Sequence, residues 1–339
     1  MWHVTGLDEQ VMKAARERWD RLTKPLGALG QVEEIGIRLA GIQGTVFPST
    51  LRKAVVVMCG DHGVVAEGVS AFPQAVTGLM MHNFTRGGAA INVLARQMGA
   101  QVHVVDVGSC VEEELQGVHL RKVRRGTANM AQGPAMTREE AMQAIEVGRE
   151  KAAQLQADGV QVVALGEMGI GNTTPSAAVT AVLTGRSLEQ LVGRGTGIKE
   201  EAVRHKLAVI AQAIAVNHPQ AADPLDVLTK VGGLEIAGLV GVVLGAAQRR
   251  LAVVVDGVIA GAAALVAQRM VPGAGAYLFA SHLSQEPAHA VILQELGLQP
   301  LLHLDMRLGE GTGAVLTFPL LDAATRLVRE MATFADLGL

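Results

Sequence analysis

The residues with most chemical capacity sit in three glycine-rich segments. Gly309-Glu310-Gly311-Thr312-Gly313 sets a carboxylate among residues of low bulk, at an expected strand end and ahead of the apolar run Ala314–Phe318. Partial loss of water raises a carboxyl pKa towards neutrality, which suits Glu310 for general-base work; the plain alternative is a solvated loop glutamate. Glu167, in Gly166-Glu167-Met168-Gly169, ends another β-branched run and is the natural companion of Glu310. The chain continues as Gly169-Ile170-Gly171-Asn172-Thr173-Thr174 into an Ala/Val-rich helix from about Pro175. Glycines let backbone N–H groups approach an anion, and a helix N-terminus adds a favourable dipole. From Gly166 to Thr173 the spacing is that of a P-loop, except that Asn172 stands where the lysine would be. A triphosphate would lack its main cationic partner there, whereas a monophosphate fits. The third segment, Gly193-Arg194-Gly195-Thr196-Gly197, precedes Lys206 on the next helix. Gly195, Gly197 and Lys206 could close over the same phosphate or its ribose; a mobile loop beside a solvated lysine is the alternative.

Other polar groups give weaker signals. Asp61-His62 and Asp106 invite a metal reading, but no HExxH or cysteine pairing supports it, and His82, His103 and His282 have no ligand spacing. No metal and no cofactor are expected, and Asp61 should take a ribose hydroxyl or order its own glycine-rich turn. Val254-Val255-Asp256-Gly257 superficially resembles the loop that binds phosphoribosyl pyrophosphate, yet it has one acid where that loop has two. A pyrophosphate donor is therefore disfavoured. Gly63–Pro73 carries apolar side chains and one aromatic, and could line a pocket for a flat apolar ligand.

These segments need elements to hold them. Short β-branched runs lead repeatedly into a Gly-plus-polar tip: Ala54–Met58, Gln101–Val105, Val160–Leu165, Leu251–Val255, Ala276–Ala280 and, less clearly, Leu301–Asp305. Between them lie Ala-rich stretches with helical spacing, such as Ala89–Gln97, Arg138–Gln156 and Glu200–Val216. The alternation predicts an α/β fold, with a doubly wound, mainly parallel, Rossmann-like sheet whose ligands bind beyond the strand carboxyl ends. Residues 8–43 read as two helices joined at Leu22–Gly30, and Leu320–Phe334 as another. The expected division is a small helical subdomain from residues 1–50 plus 315–339, packed on an α/β nucleotide- and base-binding domain, 51–314.

Composition narrows the class. The 339 residues are 49 % hydrophobic, 18 % charged and only 3 % aromatic, which excludes a disordered chain and disfavours an aromatic-rich β-sandwich. A net charge of −3 gives no pull towards nucleic acid or anionic lipid. Two cysteines, Cys59 and Cys110, make no disulfide framework and are expected to be reduced and structural. The most apolar helix candidate, Ile236–Ala247, is too short for a membrane span. No signal peptide is evident, so a cytoplasmic protein is expected.

In order along the chain, LTKPLGALG (Leu22–Gly30), GDHGVVAEGVSAFP (Gly60–Pro73), GGAAINVLA (Gly87–Ala95), GEMGIGNTT (Gly166–Thr174), GRGTG (Gly193–Gly197), VGGLEIA (Val231–Ala237) and MRLGEGTGA (Met306–Ala314) resemble the nicotinate-nucleotide–dimethylbenzimidazole phosphoribosyltransferases. The resemblance implies transfer of phosphoribose from nicotinate mononucleotide to dimethylbenzimidazole, giving α-ribazole phosphate and nicotinate for the lower ligand of cobalamin. It further implies a homodimer, Glu310 as catalytic glutamate, Glu167 as a second acid near the reacting ring, Lys206 as a functional lysine and Gly169–Thr174 as the phosphate site. The resemblance also implies that Ser70, Phe72 and Met80 line the benzimidazole pocket. The competing readings are an NAD-dependent dehydrogenase, which Gly60-Asp61-His62-Gly63 does not fit, and a carrier that binds nucleotide or benzimidazole without turnover.

Overall fold

The computed structural model describes residues 2–193 and 200–338. A single parallel sheet organises them. Its strands are β1 (Lys53–Gly60), β2 (Ala100–Gly108), β3 (Val118–Leu120), β4 (Val162–Met168), β5 (Ala252–Val255) and β6 (Leu278–Ala280), in spatial order β3-β2-β1-β4-β5-β6. Every residue of β1 is buried, so helices cover both faces, as expected for β-branched runs without alternation. The order reverses between β1 and β4, and the crevice at that switch point is where ligands bind in such sheets.

Five of the six expected strands are present. Leu301–Asp305 is not one: only Leu302 forms an isolated parallel bridge, to His282. The segment is exposed from His303 to Asp305, and Asp305 adopts a left-handed φ of +52°. With no strand beyond it, pairing stops after one residue. Consequently Glu310 stands not at a strand end but ahead of the short helix Thr312–Leu316. Edge strand β3 was not anticipated; three residues, two of them exposed, give no readable pattern.

The helices Glu9–Asp20, Gln31–Gln43 and Phe318–Glu330 join the chain ends. Asp8 caps the first by accepting from Val11 N at 3.0 Å. Ala15, Trp19, Leu22, Ile37, Ala40 and Val328 form a small hydrophobic cluster of their own, while Ile35, Leu39 and Ile42 face the main core. Elsewhere, helix Arg138–Ala157 starts at a capping box of Thr137 and Glu140 and crosses helix Leu234–Gln248 at glycines. A Cβ at Gly148 would come within 1.9 Å of Gly238 O, and one at Gly241 within 1.9 Å of Ile145 O. That approach seats the Leu234 end of its helix beneath the β1 tip. Among the described residues, no helix is long and apolar enough to cross a membrane.

Candidate active site

A cleft of about 360 Å³ opens at the carboxyl ends of β4, β5 and β6 and reaches the loop that follows β1. Glu167, Gly169, Ile170, Gly171, Asn172 and Thr173 line it from β4 onward. Lys206 and Glu310 face them, and Ser70, Phe72 and Met80 form the β1 side. Thr174 lies behind the wall, where its N–H closes the turn on Gly171 O at 3.0 Å. Gly195 and Gly197 lie outside the described residues.

The Glu310 loop is held by other acids. Gly309, Glu310 and Gly311 have φ of +84°, +63° and +90°, three successive left-handed residues. Asp256, at the β5 tip, accepts from Gly311 N at 3.1 Å and Ala314 N at 2.9 Å. Glu167 Oε1 accepts from Glu310 N at 3.4 Å. A Cβ at Gly166 would meet Glu310 O at 2.4 Å, so only glycine lets β4 pass under this loop. The Glu310 carboxylate turns to the first turn of helix Ala90–Gln97 and accepts from Ile91 N at 3.3 Å. Burial raises its pKa, and the Ile91 N–H partly offsets that.

Glu167 is more strongly perturbed. Burial pushes it up to about 8, reinforced by Glu235 and Asp256 and opposed by hydrogen bonds from Asn172 and the Glu310 N–H. Asn172 therefore turns inward to Glu167 Oε2 instead of capping helix Thr173–Thr184. Within that turn Ile170 N donates to Thr77 Oγ1 at 3.2 Å, Asn172 N to Gly169 O at 3.1 Å and Thr174 N to Gly171 O at 3.0 Å, while Gly171 holds φ +88° and its own N–H has no such partner among the described residues. Lys206 Nζ donates to Thr173 Oγ1 at 2.6 Å, and burial lowers its pKa. The arrangement is a glycine-rich turn beside a buried lysine at one end, an apolar loop at the other and two buried carboxyl groups between.

The remaining polar candidates order the strand tips. Asp106 accepts from Gly108 N at 3.1 Å and Ser109 N at 2.8 Å. Asp61 Oδ2 accepts from Cys110 N at 2.7 Å. His62 Nε2 and Glu235 Oε1 lie 2.8 Å apart, fully buried. Burial opposes protonation of His62, but Glu235 outweighs it and the imidazole pKa is raised. Both cysteines are free; Cys59 is buried, but Cys110 is exposed and so is not the packed residue expected. Asp256 and His282 escaped the sequence reading as site residues. Asp256 holds backbone groups 55 and 58 residues downstream, His282 lies 3.9 Å from Asp256 across neighbouring strands, and no spacing rule connects them.

A phosphoribosyltransferase family model matches residues 4–339. The nicotinate-nucleotide–dimethylbenzimidazole phosphoribosyltransferase of Desulforamulus reducens is 53 % identical over 99 % of this chain and 96 % of its own. The like-named protein of Chloroflexus aggregans is 54 % identical over the same shares. The crystal structure of the Thermus thermophilus protein of that name superposes with a TM-score of 0.93 at 51 % identity, covering 98 % of this chain and 99 % of that one. With the segments Val69–Phe72, Glu167–Thr173 and Arg307–Glu310 on one cleft and the likeness running end to end, the chain belongs to the nicotinate-nucleotide–dimethylbenzimidazole phosphoribosyltransferase family.

Proposed function

We propose that the protein transfers the phosphoribosyl group of nicotinate mononucleotide to 5,6-dimethylbenzimidazole, releasing nicotinate and forming α-ribazole 5′-phosphate for the lower ligand of cobalamin. The observation that carries this reading is the pair of buried carboxyl groups, Glu310 and Glu167, between a glycine-rich turn with a buried lysine and an apolar loop. The phosphate is assigned to the Gly169–Thr174 turn and Lys206, and the benzimidazole to the side of Ser70, Phe72 and Met80. One benzimidazole nitrogen attacks C1′ with its lone pair as the C1′–nicotinate bond breaks. The pyridine nitrogen takes the bonding electrons and loses its positive charge. Glu310 removes the proton from the other benzimidazole nitrogen, so the product ring is neutral. Attack from the face opposite the leaving ring converts a β-linkage into an α-linkage. Glu167, pushed up to about 8 by burial, is largely protonated in the empty cleft; the positive charge of the bound nicotinate ring favours its carboxylate, which then stabilises the cationic ribosyl centre. Holding two flat rings on either side of one ribose supplies the proximity term.

A dehydrogenase is disfavoured because β1 leads into the 3₁₀ turn Gly63–Glu67, not into an α-helix that could receive a pyrophosphate. Incubation with both substrates tests the proposal against a non-catalytic carrier. Nicotinate release that requires the benzimidazole supports the transferase, and binding without release overturns it. The proposal extends to a cytoplasmic homodimer with residues 1–50 and 315–339 as a helical subdomain. Leu26 and Leu51, 76 % and 85 % exposed near the terminal helices, support a covered face there. Sedimentation at twice the 35.4 kDa of one chain is the expected result.

A further inference from the structure

The tip of β6 brings a histidine to the cleft that this reaction scheme leaves unused. His282 lines the cleft, and its Nδ1 edge is fixed by three neighbours. Ser281 Oγ lies 3.0 Å from Nδ1 and donates its hydrogen to the Asp256 carbonyl at 3.2 Å. A serine hydroxyl has one hydrogen to give, so towards the ring it accepts, and the ring hydrogen sits on Nδ1. Asp256 Oδ1, 3.9 Å from Nδ1, favours the same tautomer. Gly313 closes that edge, since a Cβ there would lie 2.0 Å from Nδ1. Nε2 is left as a bare lone pair. It has no protein partner among the described residues and is not sealed from the cleft. Burial lowers the pKa of the ring and keeps it neutral.

A neutral acceptor repels phosphate and carboxylate oxygens and takes a hydroxyl or an N–H. Position selects between these. Parallel strands are spaced by roughly 4.8 Å, which puts the β6 tip about 14 Å from β1, on the far side of Glu167 from Ser70 and Phe72. The benzimidazole N–H therefore belongs elsewhere. Lys206 and Thr173 are on the His282 side: with Val258 and Glu286 they border one narrow recess of about 10 Å³, and Glu286 follows His282 by four residues. Glu167, Thr173, Lys206 and His282 line the same cleft, so what joins a phosphate held by Thr173 and Lys206 to a reacting carbon beside Glu167 lies on the His282 side, and in a nucleotide that connection is the ribose. We propose that His282 is a ribose-binding residue whose Nε2 accepts a hydrogen bond from a sugar hydroxyl of the nucleotide donor, so that the site selects ribonucleotides over deoxyribonucleotides. The assignment rests on the function proposed above.

Titration calorimetry of wild type, H282A and H282Q with nicotinate mononucleotide and its 2′-deoxy and 3′-deoxy forms tests the contact without requiring turnover. Wild type should bind one deoxy form about 10-fold more weakly than the parent, the cost of one lost partner at a buried polar group. H282A should bind the parent about 10-fold more weakly and lose nothing further towards that same deoxy form. H282Q, which returns an acceptor oxygen near the Nε2 position, should recover most of the loss. Equal losses by H282A towards all three nucleotides, or no loss at all, would overturn the proposal. So would a wild type that binds parent and both deoxy forms alike, a result that stands even where H282A fails to fold. A wild type that binds the nucleotide as expected but never releases nicotinate would instead sink the transferase reading and leave the ribose contact intact.

Discussion

Glu310 occupies a backbone conformation that its own side chain disfavours. A single non-glycine residue at left-handed φ costs about 1–2 kcal/mol, and the neighbouring fold must supply it. Asp256 and Glu167 do so by accepting the backbone N–H groups of the loop. Glu310→Gln keeps an oxygen for Ile91 N and keeps the loop, but removes the base. Turnover should fall about 10²–10⁴-fold while nucleotide affinity stays within about threefold, read by steady-state kinetics beside calorimetry. Equal losses in both would mark a structural role. Glu167 has a pH signature. Its folded pKa of about 8 stands above the ordinary 4.5, so between those values only the unfolded chain ionises. The stability this group contributes is present below pH 4.5 and is lost as pH rises to about 8. Asp256, pushed up to about 7, acts in the same direction. Glu167→Gln cannot ionise, so its melting temperature relative to wild type should rise between about pH 5 and about pH 8.5. A constant difference would show that the native carboxyl is already ionised at the acid end of that range. Glu310 and Glu167 were legible because flanking glycines advertise a close approach. Asp256 was not, because its task is to hold a loop 55 residues downstream, and that is written in a contact instead of a spacing.

Among the elements, the crossing of helices Arg138–Ala157 and Leu234–Gln248 carries the tightest tolerance. Gly241 rests on the Ile145 carbonyl, a backbone atom that cannot rotate away. Gly241→Ala should therefore cost about 3 kcal/mol, the upper part of the overpacking range, in urea denaturation. Gly133→Ala, where a new methyl meets nothing within 4 Å, should stay within about 0.5 kcal/mol. Equal effects would show that the helices can separate without penalty. The long elements were readable from sequence because a strand buried on both faces must be a short β-branched run, and Ala54–Met58 is such a run. Leu301–Asp305 has the same apolar look but sits beyond β6 at the surface, and apolarity alone does not report whether a partner strand exists. Strand β3 fails in the opposite sense: it pairs at Val104, Val105 and Asp106 with only three residues of its own.

At the scale of the molecule, strand order decides where the chemistry is. The sequence supplies the Gly-plus-polar tips, but not that β1 and β4 are neighbours, and only that adjacency joins the Ser70 loop to the Gly169–Thr174 turn. The donor inferred here carries one phosphate and a leaving ring that already bears positive charge, so the task a divalent ion performs on a pyrophosphate does not arise. Exhaustive treatment with EDTA should leave turnover within about twofold. A large loss restored by added divalent cation would reopen Asp61, His62 and Asp106 as a metal site. The shortage of aromatic residues has an optical consequence. The chain has two tryptophans and one tyrosine, and Trp19 is sealed in the cluster built from both chain ends. Its emission therefore reports on the joining of the termini, while the cleft, whose lining includes Phe72 but no tryptophan or tyrosine, is dark. A fluorescent benzimidazole could be watched arriving there against almost no local background, and the integrity of the terminal helices followed at the same time in a separate spectral channel.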